Sequence, residues 1–503
     1  MTKYERQKGD YCVLKKMIAI ITSVIILLTP IQASAVTWGE IVTGLRASDT
    51  FTSGETAATR TSKGEYVISG GKIDDLVEVS ALQFSDSLKV LFQNIGIEQL
   101  NAHEDSGKTI AVILGSGSEV TDRVNVSAHG KDTNLSLTNE GKMGSLNAIV
   151  HNQAQASIKN NGEITGGMNN EVHGEGSRLE FVNDKEGRIT GGMDNGVSEK
   201  GELVFTNNGT ISGEHLFNGA FDGGMLKNTN NGTINVTNVT NESLHNYARG
   251  GGSFVESTNN GTINGGVMNQ ADHEGSRNVA ANHGTVNGQY EFYTGDGGEV
   301  VGENNGTVNS LYAGADGGRV SAVNNGKDKE EIRADASHVS MKADVTVINN
   351  GEADRMYVSA GENGMLNVEN NGRLTGDGKT WITIEWEDGE FSRELSGELS
   401  IDAWDKGATV NVTNNGSAAA AFIGAADGAN VGLKNDGQIG NGEGVPLSSY
   451  AAENGRLTVT GNGSLEPYTL KMEDGTERTV SMIAQFGGNP SAEEIKRRVG
   501  EMV

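Results

Sequence analysis

The chain has 503 residues, enough for several ordinary domains, yet glycine supplies 72 of them, aromatics 5 % and hydrophobics 35 %. That is thin apolar matter for compact globules, while only four prolines and a patterned apolar content do not suit a disordered chain. A formal charge of −27 repels phosphate backbones and anionic lipid heads, so nucleic acid and membrane surfaces are poor partners.

Residues 1–35 read as a secretory signal peptide. Lys15 and Lys16 precede an uncharged apolar run from Met17 to Leu28, and Ala33-Ser34-Ala35 makes an A-x-A site with cleavage after Ala35. Cleavage removes Cys12, the single cysteine, and leaves 34 basic against 64 acidic residues, a charge of −30. The mature chain then has neither disulfides nor thiolate metal sites, and no membrane insertion of it is expected. Residues 36–108 hold strand-like pieces such as EYVISG without a clear rhythm. They are expected to form a cap and irregular first coils, because an open solenoid end invites edge pairing.

From residue 109 to 463 one small corner recurs. Its glycine falls at 141, 162, 187, 209, 232, 261, 284, 306, 326, 351, 372, 416, 437 and 463, mostly 20 to 25 residues apart and usually preceded by two asparagines. A period near 22 sustained this long means a solenoid. Positions six and four before the glycine are apolar, as in Leu203 and Phe205 or Val410 and Val412, and so is the second position after it, as in Ile164, Ile211 and Ile263. The sixth position after it is often large: Met168, Met193, Val267, Tyr290, Tyr312, Tyr357 and Phe422. Alternation by twos is strand, not helix. Leucine-rich repeats need a leucine scaffold and propellers need longer units. The spacing therefore predicts an all-β fold, a parallel β-helix of about 14 coils or more, with asparagines laddered from coil to coil at corners where positive φ is tolerated.

The gap from Gly372 to Gly416 is doubled and carries KTWITIEWEDGEF. Alternation around Asp388-Gly389 suggests a hairpin excursion over residues 380–396; a degenerate coil is the alternative. Trp381, Trp386, Phe391 and Trp404 are the ligand-contact candidates, since exposed aromatics stack on sugars or dock protein partners. At the C-terminal end, residues 464–503 are expected to be a cap or linker, with Ser491 and Glu494 as a capping box before a short helix.

A second regularity lies ten residues before the corner glycine. Glu199, Asp222, Glu274, Asp296, Asp316, Glu362, Asp427 and Glu453 would form a column of like charges. Calcium, which prefers carboxylate and carbonyl oxygens, is one compensation; solvated turn residues are the other reading. The calcium-binding repeat GGxGxD is absent, so no cofactor is expected and calcium stays a candidate only. His129, His151 and His173, spaced by 22, are weighed as zinc ligands against the three or four converging groups zinc requires.

The cleavable leader, cysteine-free mature chain, acidic Gly/Asn/Thr-rich coils and NNGxI corners together resemble the passenger domains of bacterial autotransporter adhesins, over about residues 109 to 463. The resemblance implies a right-handed parallel β-helix of the pectin-lyase-like kind, exported across two membranes and displayed at the outer-membrane surface or released, often in virulence. It also implies a translocator β-barrel. The 40 residues after Gly463 lack the alternating strands of a barrel, so a passenger apart from its translocator, or a relative that travels otherwise, is expected. The N-terminal NPNL motif of two-partner secreted proteins is missing.

Polysaccharide-processing β-helices need paired aspartates with HG and RIK-type motifs. Asp74-Asp75, His129-Gly130 and His173-Gly174 occur alone, and the serine-nucleophile elbow is absent. The expected function is thus a non-catalytic adhesin binding host or bacterial surface protein or glycan. A secreted polysaccharide lyase or hydrolase and a purely structural surface component are the alternatives.

Overall fold

The computed structural model describes residues 36–82, 87–236, 244–337, 341–376, 380–386, 389–395, 398–440, 446–452, 454–466, 468–471, 477–480 and 482–486. The signal peptide with its cleavage point after Ala35, the capping box at Ser491 and Glu494, and Glu453 lie outside these residues.

Coil follows coil along one axis, in a parallel β-solenoid of about 16 turns with roughly 23 residues per turn. One coil shows the plan. A first strand, Glu202–Asn207, buries Leu203, Phe205 and Asn207 on alternate positions. The chain turns at Asn208-Gly209, runs through a short strand, Thr210–Gly213, and bends again into a long strand, Leu216–Phe221. A final corner at Asp222-Gly223 delivers the next first strand, Met225–Asn230. First strands pair in parallel with first strands, in register, as Leu203 does with Leu226. Long strands likewise pair with long strands, as Asn218 does with Asn246. In several coils, such as Lys142–His151 and Thr285–Gly295, the short and long strands merge into one bulged strand.

The core is a thin column between the faces. Ile164, Ile189, Ile211, Ile234, Ile263, Val286 and Val308 are all buried behind the corner, as their spacing predicts. Beside them runs a buried ladder of thirteen asparagines, Asn139 to Asn435. Each Nδ2 up to Asn414 donates to the Oδ1 of the asparagine in the next coil at 2.7–2.9 Å, and Asn435 ends the ladder on the Ser464 carbonyl. The outer asparagine of the corner makes a second, exposed ladder in the opposite sense, with Asn231, Asn260, Asn350, Asn371 and Asn415 donating to the preceding coil.

The corner glycines are required for a reason other than the expected one. None of them has positive φ. A Cβ on Gly306 would instead collide with the carbonyl oxygen of Gly284 directly beneath it, and the same contact repeats at Gly261 over Gly232. Positive φ belongs to the other corner, at Glu199, Asp222, Asp296 and Asp427 among others.

Parallel stacking begins at Glu65–Ser69, which pairs with Ser87–Gln93 ahead of any asparagine corner. Before it, Thr50–Ser53 and Thr56–Arg60 pair antiparallel. A helix, Trp38–Ala47, closes this end with Trp38, Ile41, Val42 and Leu45 buried. Thr37 and Glu40 form its capping box. Asp75, one of the paired aspartates, accepts the Trp38 amide at 2.6 Å, and Asp74 pairs with Lys72 at 2.6 Å. Asp75 thus serves the cap, and Asp74 an exposed ion pair within its own strand.

The doubled gap is one coil with an insertion, not a degenerate second coil. Thr380–Trp386 and Gly389–Leu395 form an antiparallel hairpin, while Met356 pairs straight across to Leu399 and Leu366 to Val410.

Candidate ligand-binding face

The long-strand sheet turns every second side chain outward, and there the outward residues are unusually aromatic. In chain order they include Phe217, Phe221, Tyr247, Tyr293, Tyr312, Tyr357 and Phe422, all half-buried. They stand in columns because their strands pair in register. Phe217 lies beside His245, and Glu291 beside Tyr312, followed by Arg333 and Tyr357.

Glycines let the rings lie down. A Cβ on Gly219 would stand 2.6 Å from ring carbons of both Phe217 and Phe221, and one on Gly314 would meet the Tyr312 ring at 2.7 Å. A ring resting over a bare stretch of sheet keeps its other face for a ligand, while the covered glycine loses its exposed backbone. The Phe217 and Phe221 centroids are 6.4 Å apart, with His245 at 5.5 Å and Tyr247 at 6.4 Å from Phe217.

Polar groups are fixed between the rings. Tyr247 Oη donates to Asp272 Oδ2 at 2.9 Å, and Gln270 Nε2 donates to the same oxygen at 2.9 Å. Burial, and after it this bond to Asp272, push the Tyr247 hydroxyl up to about 12. Asp272 Oδ1 takes the Gly295 amide at 3.0 Å. Farther along, Arg333 sits over Tyr312 at 5.9 Å and Tyr357 at 5.3 Å, and donates to Asp335 at 2.6 Å. Ser359 donates to the other oxygen of Asp335. Burial pushes the Asp402 carboxyl, next along this face, up to about 6.

The predicted aromatic contacts and most of the predicted carboxylates fall elsewhere, while Asp296 and Asp316 border this face at Tyr293. Trp381, Trp386 and Phe391 are on the hairpin strands, where the backbone pairs Trp381 with Glu394, Trp386 with Gly389 and Phe391 with Ile384. Trp404 is 41 % exposed in the corner after Glu398–Ala403. The carboxylate column is a corner column. Glu199, Asp222, Asp296 and Asp427 take left-handed turn positions, whereas Glu274 follows His273, which takes that role in its coil. Asp316 ends a strand, and Glu362 follows Gly361, whose amide bonds to Ala336. Among the described residues no three His, Cys, Asp or Glu side chains are grouped to hold a metal ion.

His129, His151 and His173 do stack on successive coils, with 6.1 Å between the first two rings and 4.7 Å between the last two, the latter only 12° from parallel. Parallel imidazoles aim their lone pairs side by side, not at a shared point, which is the wrong disposition for a tetrahedral ion. Burial and then the two flanking rings lower the His151 pKa.

The aromatic stripe escaped the sequence reading because links after the corner vary in length. Tyr290 is buried six residues after Gly284, while Tyr312, six after Gly306, faces out because Leu311 takes the inward place. One residue of slip reverses a strand's faces. No helix among the described residues is long and apolar enough to cross a membrane. The chain matches no protein-family model, no curated protein and no solved structure.

Proposed function

We propose that the mature chain is a surface-displayed or secreted binding solenoid, the passenger part of a bacterial adhesin, and that it works without catalysis. Its ligand face is the long-strand sheet from Phe217 to Phe422, where glycans or partner proteins of host or bacterial surfaces are held. The observation that carries this reading is the row of outward rings, with Phe217, Phe221 and Tyr312 laid over glycine, interleaved with hydrogen-bonded Asp272 and Asp335. Rings that stack and carboxylates fixed in place suit recognition of extended polyhydroxylated surfaces. In this reading the leader before Ala35 directs export, a translocator barrel is the export partner, and the hairpin bearing Trp381 and Trp386 is an accessory contact.

The test is retention on cells and immobilised glycans by the mature chain, with reducing ends assayed in parallel. Phe217→Ala with Tyr247→Ala is expected to cut retention at least tenfold without releasing sugar. Release of reducing ends or unsaturated sugars would overturn the non-catalytic reading. Undiminished retention by the double variant would remove the stripe as the ligand face.

A further inference from the structure

Two tyrosine pairs on this face each stand two coils apart and differ in what lies between them. Tyr312 and Tyr357 flank Arg333 in one column, and the guanidinium lies within 6 Å of both ring centres (5.9 and 5.3 Å). In the neighbouring column Tyr247 and Tyr293 flank Gln270. Here the middle group is a neutral amide, occupied by His245 at 3.0 Å and Asp272 at 2.9 Å.

Carboxylates crowd this second seat and outnumber Arg249, the cation that lies against the Tyr247 hydroxyl. Glu291 is on the same strand as Tyr293, and Asp272 and Asp316 end the strands on either side. After burial, the charges of Asp316, Asp272, Glu291 and Asp296 are what raise the Tyr293 hydroxyl. An ammonium over a tyrosine face with carboxylates nearby gains from both the ring quadrupole and the opposite charges.

Resting on the reading of this face as the ligand face, we propose that the Tyr247–Gln270–Tyr293 seat takes the free ammonium groups of an amino-hexose polymer laid along the solenoid axis. Coil spacing selects the polymer. Two coils advance about 9.6 Å, whereas an extended peptide repeats its facing side chains every 6.6 Å or so. The longer interval is close to the disaccharide repeat of a β-linked hexopyranose chain. Pyranose faces stack on the outward rings of Tyr247 and Tyr293, and Asp272 and Gln270 offer polar atoms where hydroxyls arrive. The surrounding carboxylates repel uronates and sulfated sugars.

The probes are a glucosamine hexamer, its fully N-acetylated counterpart, an oligogalacturonate and oligolysine, titrated against the mature chain. The glucosamine hexamer is expected to bind best, at least tenfold tighter than the acetylated form, and the uronate not at all. Gln270→Lys, which supplies a cation as Arg333 does in the adjoining column, is expected to weaken the glucosamine hexamer at least tenfold with unchanged circular dichroism, and so is Tyr293→Ala. Equal binding of the acetylated hexamer would overturn the ammonium seat yet leave the ligand face standing. Tighter binding of oligolysine would make it a basic-peptide site. If no probe binds while cells are still retained through Phe217 and Tyr247, the amino-hexose is wrong; if those side chains too are dispensable, the underlying reading fails with it.

Discussion

Asp328 occupies the inward place at which the preceding coil carries Val308. Its Oδ1 accepts the Glu330 amide at 2.9 Å, while Oδ2 is buried without a hydrogen-bond partner. Burial pushes its pKa up to about 7 against the pull of nearby backbone amides. A carboxyl raised above its unfolded value binds its proton more tightly when folded, so stability is greatest below about pH 4 and falls as pH climbs toward 7. Asp328→Asn is therefore expected to stabilise the chain at pH 8, by on the order of 4 kcal/mol at most, and to make no difference at pH 3.5. Urea denaturation at the two pH values checks this.

The buried amide ladder makes a second demand at this scale. Asn304 accepts from Asn282 and donates to Asn324, and its Oδ1 also takes the Gly306 amide. Asn304→Ala takes a partner from the buried Asn282 and Asn324 and from the half-buried Gly306 amide, and should cost roughly 2–4 kcal/mol. Asn350→Ala, in the exposed ladder, should stay within about 0.5 kcal/mol. Equal losses in the two variants would show that burial does not set the ladder's worth.

At the level of the element, each coil has two corners built on different physics. The asparagine corner stacks backbone on backbone, so Gly306→Ala must push against the Gly284 carbonyl and is expected to cost 2 kcal/mol or more. The carboxylate corner bends through the left-handed region, with φ of 46° at Asp296. Asp296→Gly fits there readily, its relief of strain nearly offset by entropy in the unfolded chain, and should change stability by less than about 1 kcal/mol. The tryptophan hairpin is a third kind of element, an addition to a coil already closed by the Met356–Leu399 and Leu366–Val410 pairings. Replacing residues 377–396 with two glycines should leave circular dichroism and the unfolding midpoint nearly unchanged. Loss of cooperative unfolding would mean that the hairpin helps hold the coil.

Across the whole molecule, each coil touches chiefly its neighbours, so stability accumulates coil by coil and the ends matter most. The helix Trp38–Ala47 and the antiparallel strands Thr50–Ser53 and Thr56–Arg60 cover the first coil. Removing residues 36–60 would expose the Glu65–Ser69 edge. Concentration-dependent end-to-end association, read by sedimentation, is the expected result, and a strictly monomeric truncated chain would contradict it.

The sequence by itself determined the coil length, the inward columns and the asparagine ladder. These are properties of one repeat: where a corner recurs every 20 to 25 residues and its neighbours alternate by twos, stacking identical units leaves them nowhere else to go. It misread the corner glycines, because φ is local and the approach of Gly306 to Gly284 is a contact between coils. It also left open whether the doubled gap was a hairpin or a coil, since both alternate. Tertiary structure alone decided that stacking begins at Glu65, where β-pairing proceeds without an asparagine corner, and that Tyr293, Tyr312 and Tyr357 face outward while Tyr290 faces in. Which side a residue takes depends on link length counted to a single residue. Which residues share a column depends on registers between strands some twenty residues apart, and the aromatic face exists only in those registers.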